Sequence, residues 1–166
     1  MRNRRTTNVM AIWVALVCGV LGGMYALIDA EYQPTTMSVS GFALAQSMSA
    51  YRDAVMRYAL DHPGFEGSVT DAALRPLLAP QTIDPLWRNY VAPNADAPGS
   101  LVVVYATAAS ATAAVTAIER LSRGSALAGV TLDGMVMSRG NPAVPLPAAL
   151  SRAVPNGMPV WMAQAW

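Results

Sequence analysis

Lysine is absent from this 166-residue sequence, and cysteine and histidine occur once each. A lone Cys18 leaves the chain no internal disulfide, so whatever folds here is stabilised by its apolar core. One histidine and one cysteine also fall short of the spaced ligands of a metal centre. Charge is scarce as well: 13% of residues are Asp, Glu, Lys or Arg, against about 25% in an average soluble domain. All eleven basic residues are arginine, and the eight that follow residue 28 stand against ten acids. No basic patch gathers among them, which argues against a nucleic-acid partner. Walker-type and dinucleotide glycine patterns are missing, and so is a Gly-x-Ser-x-Gly elbow. His62 lies in a His-Pro-Gly helix end and reads as a cap or surface residue. Asp61 and Glu66 flank a turn and read as solvated. The sequence therefore names no catalytic residue, no cofactor, no metal and no small-molecule substrate.

What the sequence has instead is a run of twenty residues without a charge, Val9 to Ile28. At about 1.5 Å per helical residue such a run spans roughly 30 Å, the thickness of a bilayer's hydrocarbon core. Arg2, Arg4 and Arg5 precede it, and Asp29 and Glu31 follow, a charge order that keeps the N-terminus on the cytoplasmic side. The run exceeds the usual apolar region of a cleaved signal and reads as a retained anchor; a cut after Ala30 is the alternative. Within it Ala15, Gly19 and Gly23 recur every four residues. That spacing lets two helices approach closely in lipid, so self-association or a partner helix is expected there, unless the small residues merely reflect membrane-helix composition.

Residues 1–8 are thus a basic tail, 9–28 a transmembrane helix, 29–41 a tether and 42–166 an exported domain. In that domain Leu44, Met48, Tyr51, Val55 and Tyr58 alternate in steps of four and three, predicting one face of a long helix from Phe42 to Asp61 with Ser40 as its cap. A shorter helix over Val69 to Ala79 follows, capped by Thr70 and limited by Pro76 and Pro80. Gln81 to Gly99 reads as a long prolyl loop with room for one short strand. Leu101 to Tyr105 is the clearest strand, and a helix to Arg123 buries Val115, Ile118 and Leu121. Asp133-Gly134 predicts a two-residue hairpin between Val130–Leu132 and Met135–Met137. A rigid spacer from Pro142 to Pro147, a short helix to Ala153, a turn at Pro155-Asn156-Gly157 and a strand over Val160 to Met162 complete the chain. This mixture predicts an α+β domain with a small, mainly antiparallel sheet and a long packing helix.

Several of these stretches in order carry a resemblance. They are Tyr51-Arg52-Asp53-Ala54-Val55 with Tyr58, Pro63-Gly64, Gly67-Ser68-Val69, Leu74, Trp87 and Tyr90-Val91. They continue with Tyr105, Gly129-Val130, Gly134 through Ser138, Leu146 through Leu150, Val154-Pro155-Asn156-Gly157 and Val160. Together they resemble the PilM family of type IVb thin-pilus systems, which is distinct from the actin-like cytoplasmic protein of the same name. The resemblance implies a small inner-membrane protein of pilus biogenesis or the linked conjugation machinery, without known catalysis. The stretch between Leu74 and Trp87, with Pro76, Pro80 and Pro85, departs from the pattern.

The resulting expectation is a bitopic inner-membrane protein whose periplasmic domain binds other pilus-assembly proteins or pilin. A minor-pilin-like subunit of the fibre is the first alternative, although Pro34 interrupts the helix a pilin would continue; a periplasmic enzyme or cell-wall-binding module is the second. Phe42, Trp87, Trp161 and Trp166 are the candidate anchors of a partner surface, with a core role for Trp87 and Trp161 as the competing reading. Alkaline phosphatase fused after Trp166 is expected to be active, and the mature protein to retain residues 1–30. A mature chain beginning at Glu31 would overturn the anchor.

Overall fold

A computed structural model describes residues 39–95 and 97–166. The tail, the apolar run with Ala15, Gly19 and Gly23, and the tether up to residue 38 lie outside the described residues. Among those described, no helix is long and apolar enough to cross a membrane.

The order of elements is helix α1 (Val39–Asp61), helix α2 (Asp71–Leu78), strands β1 (Trp87–Pro93) and β2 (Ser100–Ala106), a 3-10 turn (Ala109–Ala114) running into helix α3 (Val115–Leu121), strands β3 (Ala128–Leu132), β4 (Met135–Met137), β5 (Val144–Pro145) and β6 (Pro159–Ala165). The strands form one six-stranded sheet in the order β1-β2-β6-β3-β4-β5. Every neighbouring pair is antiparallel. The expected α+β architecture is present, with a larger sheet than the sequence suggested.

Helix α1 crosses one face of the sheet, and the stripe it buries is narrower in side-chain size than its large residues imply. Gly41, Ala45, Met48, Tyr51, Val55 and Ala59 are buried, whereas Leu44 and Tyr58 are only half-buried. Small residues along the centre line let the helix axis approach the strands, and the larger Leu44 and Tyr58 flank the contact. The helical period matches the sequence pattern, and the seam is rotated toward the alanines. Ser40 lies inside the helix rather than capping it. At the other end His62 Nδ1 donates to the Tyr58 carbonyl at 2.9 Å, satisfying one of the acceptors a helix terminus leaves open.

Several local expectations are corrected. Thr70 precedes α2 but makes no side-chain cap bond, its carbonyl instead accepting from Ala73 and Leu74, and Pro76 sits within the helix rather than limiting it. The region from Gln81 to Gly99 holds a full seven-residue strand, β1. Its inward positions are Trp87, Asn89 and Val91, so a polar residue interrupts the apolar alternation by which a strand is recognised. Residues 147–154 form successive turns rather than a helix, closed by bonds such as Leu150 N to Pro147 O (2.8 Å) and Val154 N to Leu150 O (3.2 Å). In α3 Ile118 is buried beside Ala114 and Ala117, while Leu121 is exposed.

The hairpin follows its expectation in detail. Asp133 and Gly134 have φ of 50° and 74°, the double positive φ of a type I′ turn, and Leu132 faces Met135 across it. Asn156 braces the turn, accepting from Asp133 N at 2.9 Å and donating to Asp133 Oδ1 at 3.1 Å. On the face away from α1, Leu146, Leu150 and Val154 pack on Val103, Val136, Val160 and Met162.

Asn89 is the polar centre of the α1 side. Its amide donates to Tyr51 Oη (2.7 Å) and to the Val69 carbonyl (3.0 Å), while Oδ1 accepts from Val69 N (2.7 Å). Asn89→Leu strands the Val69 peptide and the Tyr51 hydroxyl, each worth about 1–3 kcal/mol when left unpaired. We expect a fall in melting temperature of roughly 10 °C, measured by calorimetry. Burial raises the Tyr51 pKa above 10.0, and the Asn89 bond offsets this in part. The folded state thus holds this proton more tightly than the unfolded chain. Its contribution is full below about pH 10 and declines as pH rises through the folded pKa. Tyr51→Phe is expected to flatten the alkaline loss of stability, read from unfolding midpoints on either side of pH 10.

Candidate partner surface

Two of the four candidate anchors are buried and two are not. Trp87 is 1% exposed and Trp161 5%, both within the core under α1. Each is tied to the helix by its polar or π character as well as by area. Trp87 Nε1 donates to Ser47 Oγ at 3.0 Å, and the Arg52 guanidinium stacks 4.1 Å from the centroid of Trp161. Arg52 is itself steadied by Asp53, Nη2 to Oδ1 at 2.8 Å. An indole N–H needs a partner when it leaves water, and a guanidinium over an indole face is attracted by its quadrupole. These two rings therefore fasten α1 to the sheet. Phe42 is half-buried against the same core. Trp166 is 78% exposed, the most exposed of the four.

Trp166 is not isolated. Leu60, at 49% exposure, lies near it on the last turn of α1. Between them a cleft of about 360 Å³ is lined by Ala59, Pro63, Pro98, Gly99 and Ala165 as well. Gly99 makes this geometry possible. It sits at φ 101°, and a Cβ there would collide with the Ala165 carbonyl, so only glycine lets β2 begin hard against the end of β6. A large aromatic beside an apolar cleft, with little charge around it, is the composition of an interface centre.

Ionisable groups are spread out. His62 stacks on Tyr58 with centroids 4.0 Å apart and lies on the surface. Glu66 accepts from Tyr90 Oη at 3.3 Å; desolvation first and this carboxylate second raise the Tyr90 pKa. Among the described residues no three His, Cys, Asp or Glu side chains come together as a metal site. The segment 146–154 covers only part of the outer sheet face, leaving Tyr90, Leu101 and Tyr105 half-exposed.

A family model, PilM, matches residues 17–162, most of the chain. The chain belongs to the PilM family. No curated protein and no solved structure matches it. Membership ties the chain to pilus assembly and agrees with the resemblance read from its motifs. The match takes in Trp87 and Trp161, the two rings beneath α1 of this PilM-family domain, and ends before Trp166.

Sequence reasoning missed Ser47 and Asn89, the polar partners that orient Trp87 and Tyr51. Polar residues at inward positions of an otherwise apolar helix and strand were the available signal. Trp87→Ala and Trp161→Ala are each expected to cost about 3–5 kcal/mol. Trp166→Ala is expected to stay within about 0.5 kcal/mol of the parent. Denaturant midpoints of the three variants measure this directly.

Proposed function

We propose that this chain is a membrane-anchored, non-catalytic component of type IVb pilus assembly that works through protein contacts in the periplasm, with other assembly proteins or pilin as partners. The match to the PilM family over residues 17–162 carries this reading. The uncharged run from Val9 to Ile28 behind three arginines supports a single membrane anchor with the domain outside. Trp166 and Leu60 around an apolar cleft support action by contact, since exposed aromatics centred in such a patch are typical binding anchors. The row Ala15, Gly19 and Gly23 would add a helix contact within the membrane.

The reading is tested in the host cell. Deleting the gene is expected to abolish pili, and the full chain to restore them. Trp166→Ala combined with Leu60→Ser is expected to restore them poorly at normal protein level and unchanged melting temperature. Full piliation by the deletion strain would overturn the pilus role, and full rescue by the double variant would move the contact surface elsewhere.

A further inference from the structure

Strand β6 is paired from Val160 to its end on one side only. Its partner β2 runs beside it from Tyr105 opposite Val160 to Ser100 opposite Ala165. On the other side β3 covers Pro159, Val160 and Trp161 and then leaves the sheet. The last bond there is from Met162 N to the Leu127 carbonyl, 2.7 Å. Leu127 does not extend the ladder, because its own N–H turns to Ser125 Oγ at 3.2 Å. In an antiparallel ladder backbone groups alternate sides along the strand, so Gln164, two residues beyond Met162, turns its N–H and carbonyl to this uncovered side. Among the described residues no strand lies there.

The outer edges of the sheet are handled differently. Val91 of β1 exchanges both backbone bonds with Gly67 (2.8 and 2.9 Å), and Ser68 Oγ donates to the Asn89 carbonyl at 2.8 Å. At the far edge β5 is two residues long and ends in Pro145, with Pro142 and Pro147 close by in the chain. Both are devices that keep a foreign strand from pairing. The gap beside β6 has neither. It opens into a notch of about 410 Å³ lined by Arg52, Met56, Arg123, Leu127, Trp161 and Ala163 among others. Two arginines and no acid line it. Arg52 is held over Trp161, and Arg123 is exposed with a φ of 54°.

We infer that the open half of β6 is a strand-addition site for an extended segment of a partner polypeptide carrying a carboxylate side chain. The peptide group of Gln164, which no strand covers on this side, calls for an extended amide backbone, which neither a lipid nor a glycan supplies in register. Arg52 is already paired with Asp53, so the exposed Arg123 is the arginine that selects the acidic side chain. The site rests on the reading that the protein works by protein contacts, and it specifies what kind of segment one such contact takes.

The experiment uses the full chain in detergent and a short fluorescein-labelled peptide of alternating valine and threonine with a central glutamate. Its controls are the same peptide N-methylated throughout, and the same peptide with lysine at the centre. Fluorescence anisotropy is expected to show binding of the glutamate peptide, no binding of the N-methylated one, and affinity for the lysine peptide lower by about tenfold. Arg123→Glu is expected to reverse the preference. Gln164→Ala keeps the backbone and should leave binding unchanged, whereas Gln164→Pro removes the N–H and should weaken it by about tenfold. Should Gln164→Pro fail to fold, the N-methylated peptide and Arg123→Glu still decide. No binding by the glutamate peptide at any soluble concentration overturns the site, and so does equal binding of the N-methylated form or an unmoved preference in Arg123→Glu. Such a failure would leave the piliation defect of a deletion strain standing, so the two readings fail separately.

Discussion

The carboxamide of Asn89 is the joint on which the domain's arrangement depends. From the inner face of β1 it reaches the Tyr51 hydroxyl on α1 and both polar groups of the Val69 peptide ahead of α2. Three segments far apart in sequence are held by one buried side chain. A buried amide tolerates little displacement, because each lost bond leaves a group in a medium that cannot solvate it. The register of α1 over the sheet and the position of the 67–69 segment along β1 are therefore set together. The same segment closes the edge of β1, so the joint that positions the helix also protects the sheet.

Around that joint the contact between helix and sheet combines small residues with two large rings. Ala45, Ala54 and Ala59 bring the helix close, and Trp87 and Trp161 fill the space to either side. Small residues contribute little area but lose no side-chain entropy on burial. The tryptophans supply the area and, through Ser47 and Arg52, the direction. This division explains how a domain with few charges and no disulfide settles into one packing. Its stability comes from apolar burial, and its specificity from a handful of polar partners.

With the inner tryptophans committed to the core, the exposed apolar surface lies at the end of the sheet and the unpaired backbone in its gap. Trp166 and Leu60 form an apolar surface, and the open half of β6 exposes backbone. They differ in kind, since the first offers area and the second offers direction and register. Both depend on β6: Ala165 lines the Trp166 cleft, and Trp161, Met162 and Ala163 line the notch.

How much of this was legible in the sequence depends on how local each signal is. The period of α1, the type I′ turn at Asp133-Gly134, the core of β2 and the α+β mixture are encoded by neighbours a few residues apart, and each was read correctly. Family membership was legible from the order of turn and core motifs. The strand β1 was not, because Asn89 breaks its apolar pattern for the sake of a bond to residues about twenty and forty positions away. The central place of β6 and the rotated seam of α1 were equally hidden, whereas burial of Trp87 and Trp161 was one of the two readings the sequence left open and the fold chose it. A sequence pattern states which face of an element is apolar; it does not state which distant element will cover that face. Only the folded chain decides that, since pairing β6 between β2 and β3 is a long-range contact, and the same pairing leaves Trp166 outside and Gln164 at an open edge.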